Sequence, residues 1–575
     1  MKYKPQTKEE LKELVQDDNI YLGDIDTILI TDMSHLFECS KRKNFEGLEN
    51  WNISNVIDIS YMFSSSENFN NNINNWDTSN IKNMSHLFSY CQVFNQPLNK
   101  WNVSNVIDMS YIFESCINFN QSLNSWNVSN VENMNALFYD CETFNKSLNN
   151  WNVIKVRNMR YMFRNCYEFN NDISNWDVSN VEDMSNMFEE AFEFNCDISK
   201  WNVSKVKYMN SMFAFAENFN QDISNWNVYK VENMACMFFN TEEFNQYIGD
   251  WNVSNVKDMN SIFWGCKKFN QDLNNWNVSN VENMSFMFYL AVSFNQPLNN
   301  WNVGNVKNMY GMFNGCKVFN QYLNNWNVSS VENMSCMFFE AENFNQPLNN
   351  WNVSKVKDIS GMFCKCKSFN QPLNNWDTSN VTNMRCMFFE AENFNQDINK
   401  WNVKNIENML SMFENAYSFN QPLDNWDTSN VLYMNRMFFN ANKFNQSLNN
   451  WNVCNVKNMG SMFSSCESFN QSIWDWKINK TCFIDNIFEN AISLKNVKSI
   501  LNIYFLARGN HKKRLLSMLE ECDIKEVYAE SIKYTKLKDF IKKLENVYYD
   551  ELKELIDKKE DIIKEYKQKN KKYKI

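Results

Sequence analysis

Apolar and polar positions recur along the chain with a period of 25 residues. Eighteen of the twenty tryptophans are spaced by 25 residues, from Trp51 to Trp476, without an insertion. With Trp at position 1, the repeat reads W-N-V-S-N-V-x-N-M-S-x-M-F-x-x-C/A-x-x-F-N-Q-x-L-N-N, and position 13 is Phe in all eighteen copies. A unit of this length cannot bury nine apolar positions alone, so the pattern predicts repeats that stack on one another.

Two spacings within the unit predict its secondary structure. Positions 23, 1 and 3, as in Leu98, Trp101 and Val103, are typical of a short strand that ends in a β-branched residue. Positions 9, 12, 13, 16 and 19 have the spacing of one apolar stripe on a helix. We therefore expect a strand at about positions 25 to 3 and a helix at about positions 9 to 18, short enough to take a 3₁₀ or irregular form. The predicted fold class is an α/β solenoid.

The two ends of the chain depart from the period. Thr7 and Glu10 form a capping-box pattern, which predicts a helix over residues 7–18. Residues 496–575 carry 20 Lys and Arg against 14 Asp and Glu, although the whole chain has a net charge of −11. We divide the chain into an N-terminal capping helix (1–25), a divergent first repeat (26–50), eighteen repeats (51–494) and a helical C-terminal region (495–575).

The C-terminal region has helical periodicity. Its pattern predicts two short helices, over 497–507 and 511–521, followed by one helix of about thirty residues that begins near Leu537. That long helix either folds back on the last repeat as a cap or pairs with another chain as a coiled coil.

The repeat motif resembles that of a known family. The segment from Trp76 to Leu98, WDTSNIKNMSHLFSYCQVFNQPL, is similar to the BspA-like leucine-rich repeats in their Met- and Trp-rich variant, which occurs in many bacterial proteins of unknown function. The similarity extends over about residues 5–494. It implies a right-handed, leucine-rich-repeat-like stack with a binding or adhesive role, and a surface or secreted location.

Charge and composition narrow the function classes. The acidic balance argues against nucleic acid as an electrostatic partner. No run of 18 apolar residues is present, so we expect no transmembrane helix. The polar N-terminus lacks the apolar core of a secretory signal, which predicts a cytoplasmic protein, with export by a non-standard route as the alternative that the resemblance implies.

No pattern in the chain indicates catalysis. The sequence lacks a P-loop, G-x-G-x-x-G, G-x-S-x-G and H-E-x-x-H, and it contains only three histidines. Position 16 is Cys in eight copies and Ala in eight others, which indicates a small buried residue rather than a disulfide or a metal ligand. We expect no enzyme, no cofactor and no metal site.

Two polar columns predict contacts between neighbouring repeats. Position 20 is Asn from Asn70 to Asn470, and we expect it to bond backbone groups of its own and the adjacent repeat. Position 7 alternates in sign over ten consecutive copies, from Glu132 to Lys357, which predicts a ladder of opposite charges.

The candidate binding surface consists of asparagines at positions 2 and 25. These positions flank the inward-pointing Trp, so their side chains should cover the open face of the predicted sheet, either as a ligand-facing surface or as a structural ladder of amides. The candidate residues near the centre of the array are Asn252, Asn275, Asn277, Asn300, Asn302, Asn325 and Asn327.

The predicted function is a non-enzymatic repeat scaffold that binds a protein partner through this Asn-rich face. One alternative is an adhesin-like surface or secreted protein that binds host matrix or glycan. The other is a structural rod that self-assembles through its C-terminal helix.

Overall fold

The α-helices lie near the two ends of the chain. The computed structural model describes residues 2–572, and the side chains of residues 2–568. Two compact units are present, one through Ser330 and the other from Val331 onward. The helices are α1 (Lys8–Gln16), α2 (Val497–Leu506), α3 (Gly509–Glu520), α4 (Ile524–Ser531), α5 (Lys538–Val547), α6 (Tyr549–Asp557) and α7 (Lys559–Lys572). Short 3₁₀ segments occupy Leu22–Asp24, Leu48–Asn50 and Thr535–Leu537.

The predicted right-handed, leucine-rich-repeat-like α/β solenoid is wrong. Within the described residues, the repeats contain neither the strand at positions 25 to 3 nor the helix at positions 9 to 18. The extended contacts are single-residue parallel bridges at position 8 of adjacent repeats, for example from Asp58 to Asn83. In the first unit these bridges run from Asp32 to Asn308, and in the second from Asn333 to Phe483.

Each repeat is a succession of turns. The amide nitrogen of Met62 donates to the Ile59 oxygen at 3.2 Å, and that of Ser66 donates to the Phe63 oxygen at 2.9 Å. The third residues of these two turns, Tyr61 and Ser65, have φ of 57° and 58°, as in type II turns. A residue with positive φ interrupts an α-helix, so positions 9 to 18 keep the apolar spacing of a helix without forming one.

Alternate amides of the same segment bind the next repeat. The nitrogens of Ile59, Tyr61, Phe63 and Ser65 donate to carbonyl oxygens one repeat further along, at distances of 3.1, 3.0, 3.0 and 2.7 Å. Odd positions from 9 to 15 therefore bond between repeats, while the even positions close local turns. Half of the backbone hydrogen bonds of this segment therefore run to the next repeat. For this reason the segment forms neither a helix nor a strand, and its N–H donors are still satisfied.

Aromatic columns fill the interior of the stack. Phe63 lies 3.8 Å from Phe69, its partner at position 19, and 5.8 Å from Phe88 in the next repeat, measured between ring centroids. Trp76 and Trp101 are parallel at 6.4 Å. These side chains are 0–4% exposed, and each contributes about 1.5–3 kcal/mol of burial free energy.

The indole nitrogen of each such Trp has a partner inside the stack. Trp101 Nε1 donates to the Ile73 oxygen at 3.0 Å, and the same bond joins Trp276 to Ile248 at 2.9 Å. Because a buried N–H without a partner is costly, this contact fixes the depth of each ring.

The N-terminal helix is confirmed as α1. The Thr7 hydroxyl accepts a hydrogen bond from the Glu10 amide at 3.2 Å and caps the helix. The buried Arg42 guanidinium donates to the carbonyl oxygens of Val15, Asp17 and Ile20, and so ties the end of α1 to the divergent first repeat. Burial lowers the pKa of Arg42.

The first two predicted C-terminal helices are confirmed as α2 and α3, and α2 covers the last repeat. The Ile473 amide donates to the Ser499 hydroxyl at 2.9 Å. Asn502 Nδ2 lies 3.3 Å from each of the carbonyl oxygens of Ile473, Trp474 and Trp476, where the last repeat begins. Polar side chains of α2 thus form hydrogen bonds with the backbone at the C-terminal end of the repeat array.

The predicted helix of about thirty residues is wrong. It is broken at Tyr548, with ψ of 33°, and at Lys558, with ψ of 4°, which separates α5, α6 and α7. The sequence pattern also missed α4. Both α5 and α6 contact α4, and Leu544 and Leu552 are 1% and 0% exposed. A straight helix would leave part of this apolar stripe in water, so the breaks allow it to be buried.

We expect Trp276→Phe to lower the free energy of unfolding by about 1–3 kcal/mol, because it removes a buried bond and leaves a void. Urea unfolding followed by circular dichroism measures the change. Trp474→Phe is the matched control, since Trp474 lies outside the 25-residue column, is half-buried, and its indole has no hydrogen bond within the described chain. Equal losses for the two variants would contradict the proposed role of the indole bond.

We expect Glu190→Gly to raise the free energy of unfolding by about 0.5–1 kcal/mol. Glu190 has φ of 58°, a conformation that costs a residue with a Cβ about 1–2 kcal/mol, partly offset by the greater backbone entropy of Gly in the unfolded chain. Glu168→Gly, at an exposed position of ordinary φ, should instead be destabilising. The same urea titration compares them, and destabilisation of both would show that the left-handed residues are not strained.

Candidate functional site

The seven candidate asparagines, named the amide row below, are all exposed and all lie in the first unit. The turn geometry of the repeat places them on turns, so the predicted open face of a sheet does not exist. Asn252, Asn277, Asn302 and Asn327 occupy position 2, and Asn275, Asn300 and Asn325 occupy position 25.

Each position-2 side chain stabilises its own turn through its oxygen. Asn277 Oδ1 accepts a hydrogen bond from the Ser279 amide at 3.2 Å, and Asn252 Oδ1 accepts one from Ser254 at the same distance. This Asx-turn contact is local, and the Nδ2 groups of the four position-2 asparagines have no hydrogen-bond partner in the described structure. The alternative of a structural amide ladder is therefore not formed at position 2.

A ladder of amides does exist, at other positions. At position 5, Asn280 Nδ2 donates to the Ser254 oxygen and Asn305 Nδ2 to the Ser279 oxygen, both at 2.7 Å. Sequence reasoning overlooked this column, although Asn recurs there in most copies. The predicted column at position 20 is confirmed, since Asn245 Oδ1 accepts a bond from the next Asn amide at 2.9 Å.

From Glu182 to Lys357, the alternating charges at position 7 form ion pairs between adjacent repeats. Lys207 lies 2.8 Å from Glu182, and Lys307 lies 2.6 Å from Glu282. The hydrogen bond from the Lys207 ammonium lowers the pKa of Glu182 and raises that of Lys207. Both side chains of each pair are exposed, so these contacts contribute little stability, but they neutralise neighbouring charges.

The position-16 cysteines are buried, as predicted, and each also donates a hydrogen bond. Cys91 Sγ donates to the Phe63 oxygen of the preceding repeat at 2.9 Å, and Thr241 Oγ1 makes the equivalent bond to the Phe213 oxygen at 2.6 Å. Burial raises the pKa of Cys91 to about 12 and also raises the pKa of Cys116 well above its usual value. All seventeen cysteines, each within the described residues, are free thiols.

A cavity of about 340 Å³ lies between the last repeat and α3. Phe488, Leu515 and Met518 supply its apolar wall, and His511 and Arg514 are among its polar residues. Arg514 is already engaged by Glu489 at 2.5 Å. Burial lowers the pKa of His511 and so favours its neutral form. Within residues 2–572, no cluster of His, Cys, Asp or Glu could hold a metal ion.

A strip of aromatic rings on the surface was missed by the sequence analysis. The aromatic strip consists of Phe215, Phe239, Trp264, Phe286, Tyr289 and Tyr310, all half-buried. They occupy positions 10, 11, 14 and 15, which vary from copy to copy, so the consensus motif shows no aromatic residue at any of them. The indication available in the sequence was that variation itself, since a side chain that the stack does not constrain is free to serve a partner.

The sequence profile of one protein family, described as "Mycoplasma protein of unknown function, DUF285", matches the chain nine times. The matched segments are residues 9–116, 31–151, 96–195, 132–246, 159–274, 216–326, 240–348, 309–423 and 394–500. Because these overlapping segments cover most of the chain, the chain belongs to this repeat family. No curated protein matches it. None of the described helices is long and apolar enough to cross a membrane.

We expect the position-16 thiols to resist N-ethylmaleimide in the folded protein, because they are buried and protonated. Cys39 and Cys454 are exposed and should react first. Mass spectrometry of tryptic peptides after timed labelling at pH 8, with and without urea, measures both classes. Labelling of Cys91 or Cys116 in native protein at the rate of Cys454 would contradict the packing of this column.

Proposed function

We propose that this member of the DUF285 family is a non-enzymatic repeat scaffold that binds a protein partner through the amide row. The proposal rests on the different roles of the two polar groups in each position-2 side chain. Oδ1 accepts the hydrogen bond that closes the turn, while Nδ2 faces solvent without a partner.

The turn itself does not require an amide. Position 2 is Asp in four repeats, at Asp77, Asp177, Asp377 and Asp427. The Asp77 carboxylate accepts the Ser79 amide at 3.1 Å, as Asn does elsewhere. A carboxylate therefore suffices for the fold, and the Nδ2 donors of the amide row are available for a partner.

The row favours an extended partner over a small molecule. A small-molecule site needs a few distinct polar groups that converge in a concave pocket, whereas the amide row repeats one donor along successive repeats. The carbonyl oxygens of another polypeptide are the natural acceptors for such a series. Polar rims of protein interfaces use hydrogen bonds of this kind.

The resemblance to BspA-like repeats supports the runner-up function, an adhesin-like protein that binds host matrix or glycan. The similarity rests on the Trp, Phe and Asn-Gln spacing of the motif, and the fold that it implied does not carry over. Glycan hydroxyl groups would also accept bonds from the amide row. Protease treatment of intact cells separates the two functions, since release of peptides from the repeats would favour the adhesin.

The test replaces Asn252, Asn277, Asn302 and Asn327 together by Asp. We expect the melting temperature to be unchanged, because the turn acceptor remains, and affinity for a partner captured with wild-type protein to fall at least tenfold. A tenfold change corresponds to about 1.4 kcal/mol and each hydrogen bond contributes about 0.5–1.5 kcal/mol, so the loss of three or more suffices. Biolayer interferometry with the isolated partner measures the change.

The matched control makes the same four changes at Asn102, Asn127, Asn152 and Asn202, which occupy position 2 in other repeats. It adds the same negative charge to the same kind of turn and should bind as wild type does. Equal binding by both variants would overturn the proposed site, and loss of binding by both would indicate a general effect of charge.

A further inference from the structure

The aromatic strip is continuous across five successive repeats, residues 201–325. Ring centroids are 5.1 Å apart from Phe215 to Phe239 and from Phe239 to Trp264, and 4.7 Å apart from Trp264 to Phe286. Tyr310 continues the series 4.6 Å from Phe286. Elsewhere in the first unit the same positions carry shorter runs of rings among polar and charged side chains, so the strip is not a product of the repeat pattern alone.

The strip carries no formal charge. Positions 10, 11, 14 and 15 hold no Asp, Glu, Lys or Arg in any of the five repeats, and Leu290, 39% exposed, adds an aliphatic group. The two preceding repeats place Arg160, Arg164, Glu189 and Glu190 at these positions. The apolar surface therefore begins after a charged border, which is the arrangement of an interface core and its rim.

Six charged residues of these repeats are paired within the chain. Glu232 pairs with Lys257 at 3.1 Å. Glu242 and Glu243 pair with Lys267 and Lys268, both at 2.5 Å. A strongly charged partner would thus find no field of opposite sign to compensate for its desolvation. The surface fits an uncharged, aromatic counterpart.

We propose that this counterpart is the same strip on a second copy of the chain. Each copy has a net charge of −11, so copies repel one another except where the contact surface is neutral. The strip also suits a two-fold contact, since Trp264 lies in the middle repeat and two repeats on either side supply rings. A two-fold axis through that repeat places the first half of each strip against the second half of the strip on the other copy. Isologous dimers, which are the commonest oligomers, have this arrangement.

The interface places Trp264 at its centre. Large aromatic side chains at the centre of an interface carry most of the binding free energy, and Trp264 contacts three other rings of the strip. The exposed Leu290 lies toward one side, where a charge would be buried against the neutral partner strip.

The test measures the association of the full-length protein by sedimentation equilibrium from about 1 to 100 µM. Leu290→Asp is the main variant, because Leu290 has φ of 56° and Asp140 occupies the equivalent position at 58° in another repeat, so the fold accepts it. We expect wild type to dimerise and Leu290→Asp to raise the dimer dissociation constant at least tenfold. Ser65→Asp, at the same position outside the strip, is the matched control and should dimerise as wild type does.

A second experiment tests the two-fold geometry. Trp264→Glu and Trp264→Lys should each be monomeric, because like charges meet at the axis, and an equimolar mixture should form heterodimers. Circular dichroism melts establish that each variant is folded; if the Trp264 variants unfold, Leu290→Asp still decides the proposal.

Three results would overturn the proposal. They are a wild type that stays monomeric over the whole range, oligomers that Leu290→Asp leaves intact but removal of residues 538–575 abolishes, and a monomer that binds neutral phosphatidylcholine vesicles through Leu290. The last would assign the strip to a lipid surface. Failure of self-association leaves the amide-row assay unaffected, because the strip and the amide row are tested by separate variants.

Discussion

The sharing of backbone hydrogen bonds between a repeat and its neighbour is the constraint on which this fold depends. At positions 9 to 15, alternate amides point outward to the next repeat, and this is possible only because positions 11 and 15 adopt positive φ. Tyr61 and Glu190 accept that backbone conformation although neither is a glycine. The strain is offset by burial of the adjacent Phe and Met columns, which the same turns direct inward.

The sequence predicts what depends on side-chain identity and misses what depends on backbone conformation. The columns of Trp, Phe and Met, the small residue at position 16 and the charge pairs at position 7 follow from periodicity and chemistry alone. The strand and the helix do not, since an apolar spacing of three and four residues fits successive turns as well as a helix. Phe215 and Leu290 give no indication of a left-handed backbone, which sequence patterns assign to Gly or Asn.

In the candidate site, too, the sequence predicts some features and misses those that depend on backbone conformation. Exposure of Asn252 and Asn277 was predictable, because both flank a buried Trp, but the Asx turns that engage their oxygens were not. Trp264 was invisible to a consensus because it falls where the copies differ. In a chain that repeats so regularly, the invariant positions describe how the repeats stack, and the variable positions are where one part of the surface comes to differ from another.

The position-5 asparagines have a consequence for how such a chain can change in length. The Asn280 side chain donates a hydrogen bond only to the preceding coil, and its counterparts do the same. Each coil therefore supplies the donor for the junction before it and the acceptor for the junction after it. Gain or loss of one whole 25-residue unit would give each donor an equivalent acceptor. Recombination between copies could therefore lengthen or shorten the molecule without loss of the position-5 bonds, and as far as these bonds are concerned genes of this kind tolerate size variation in steps of 75 nucleotides, three for each residue of a 25-residue unit.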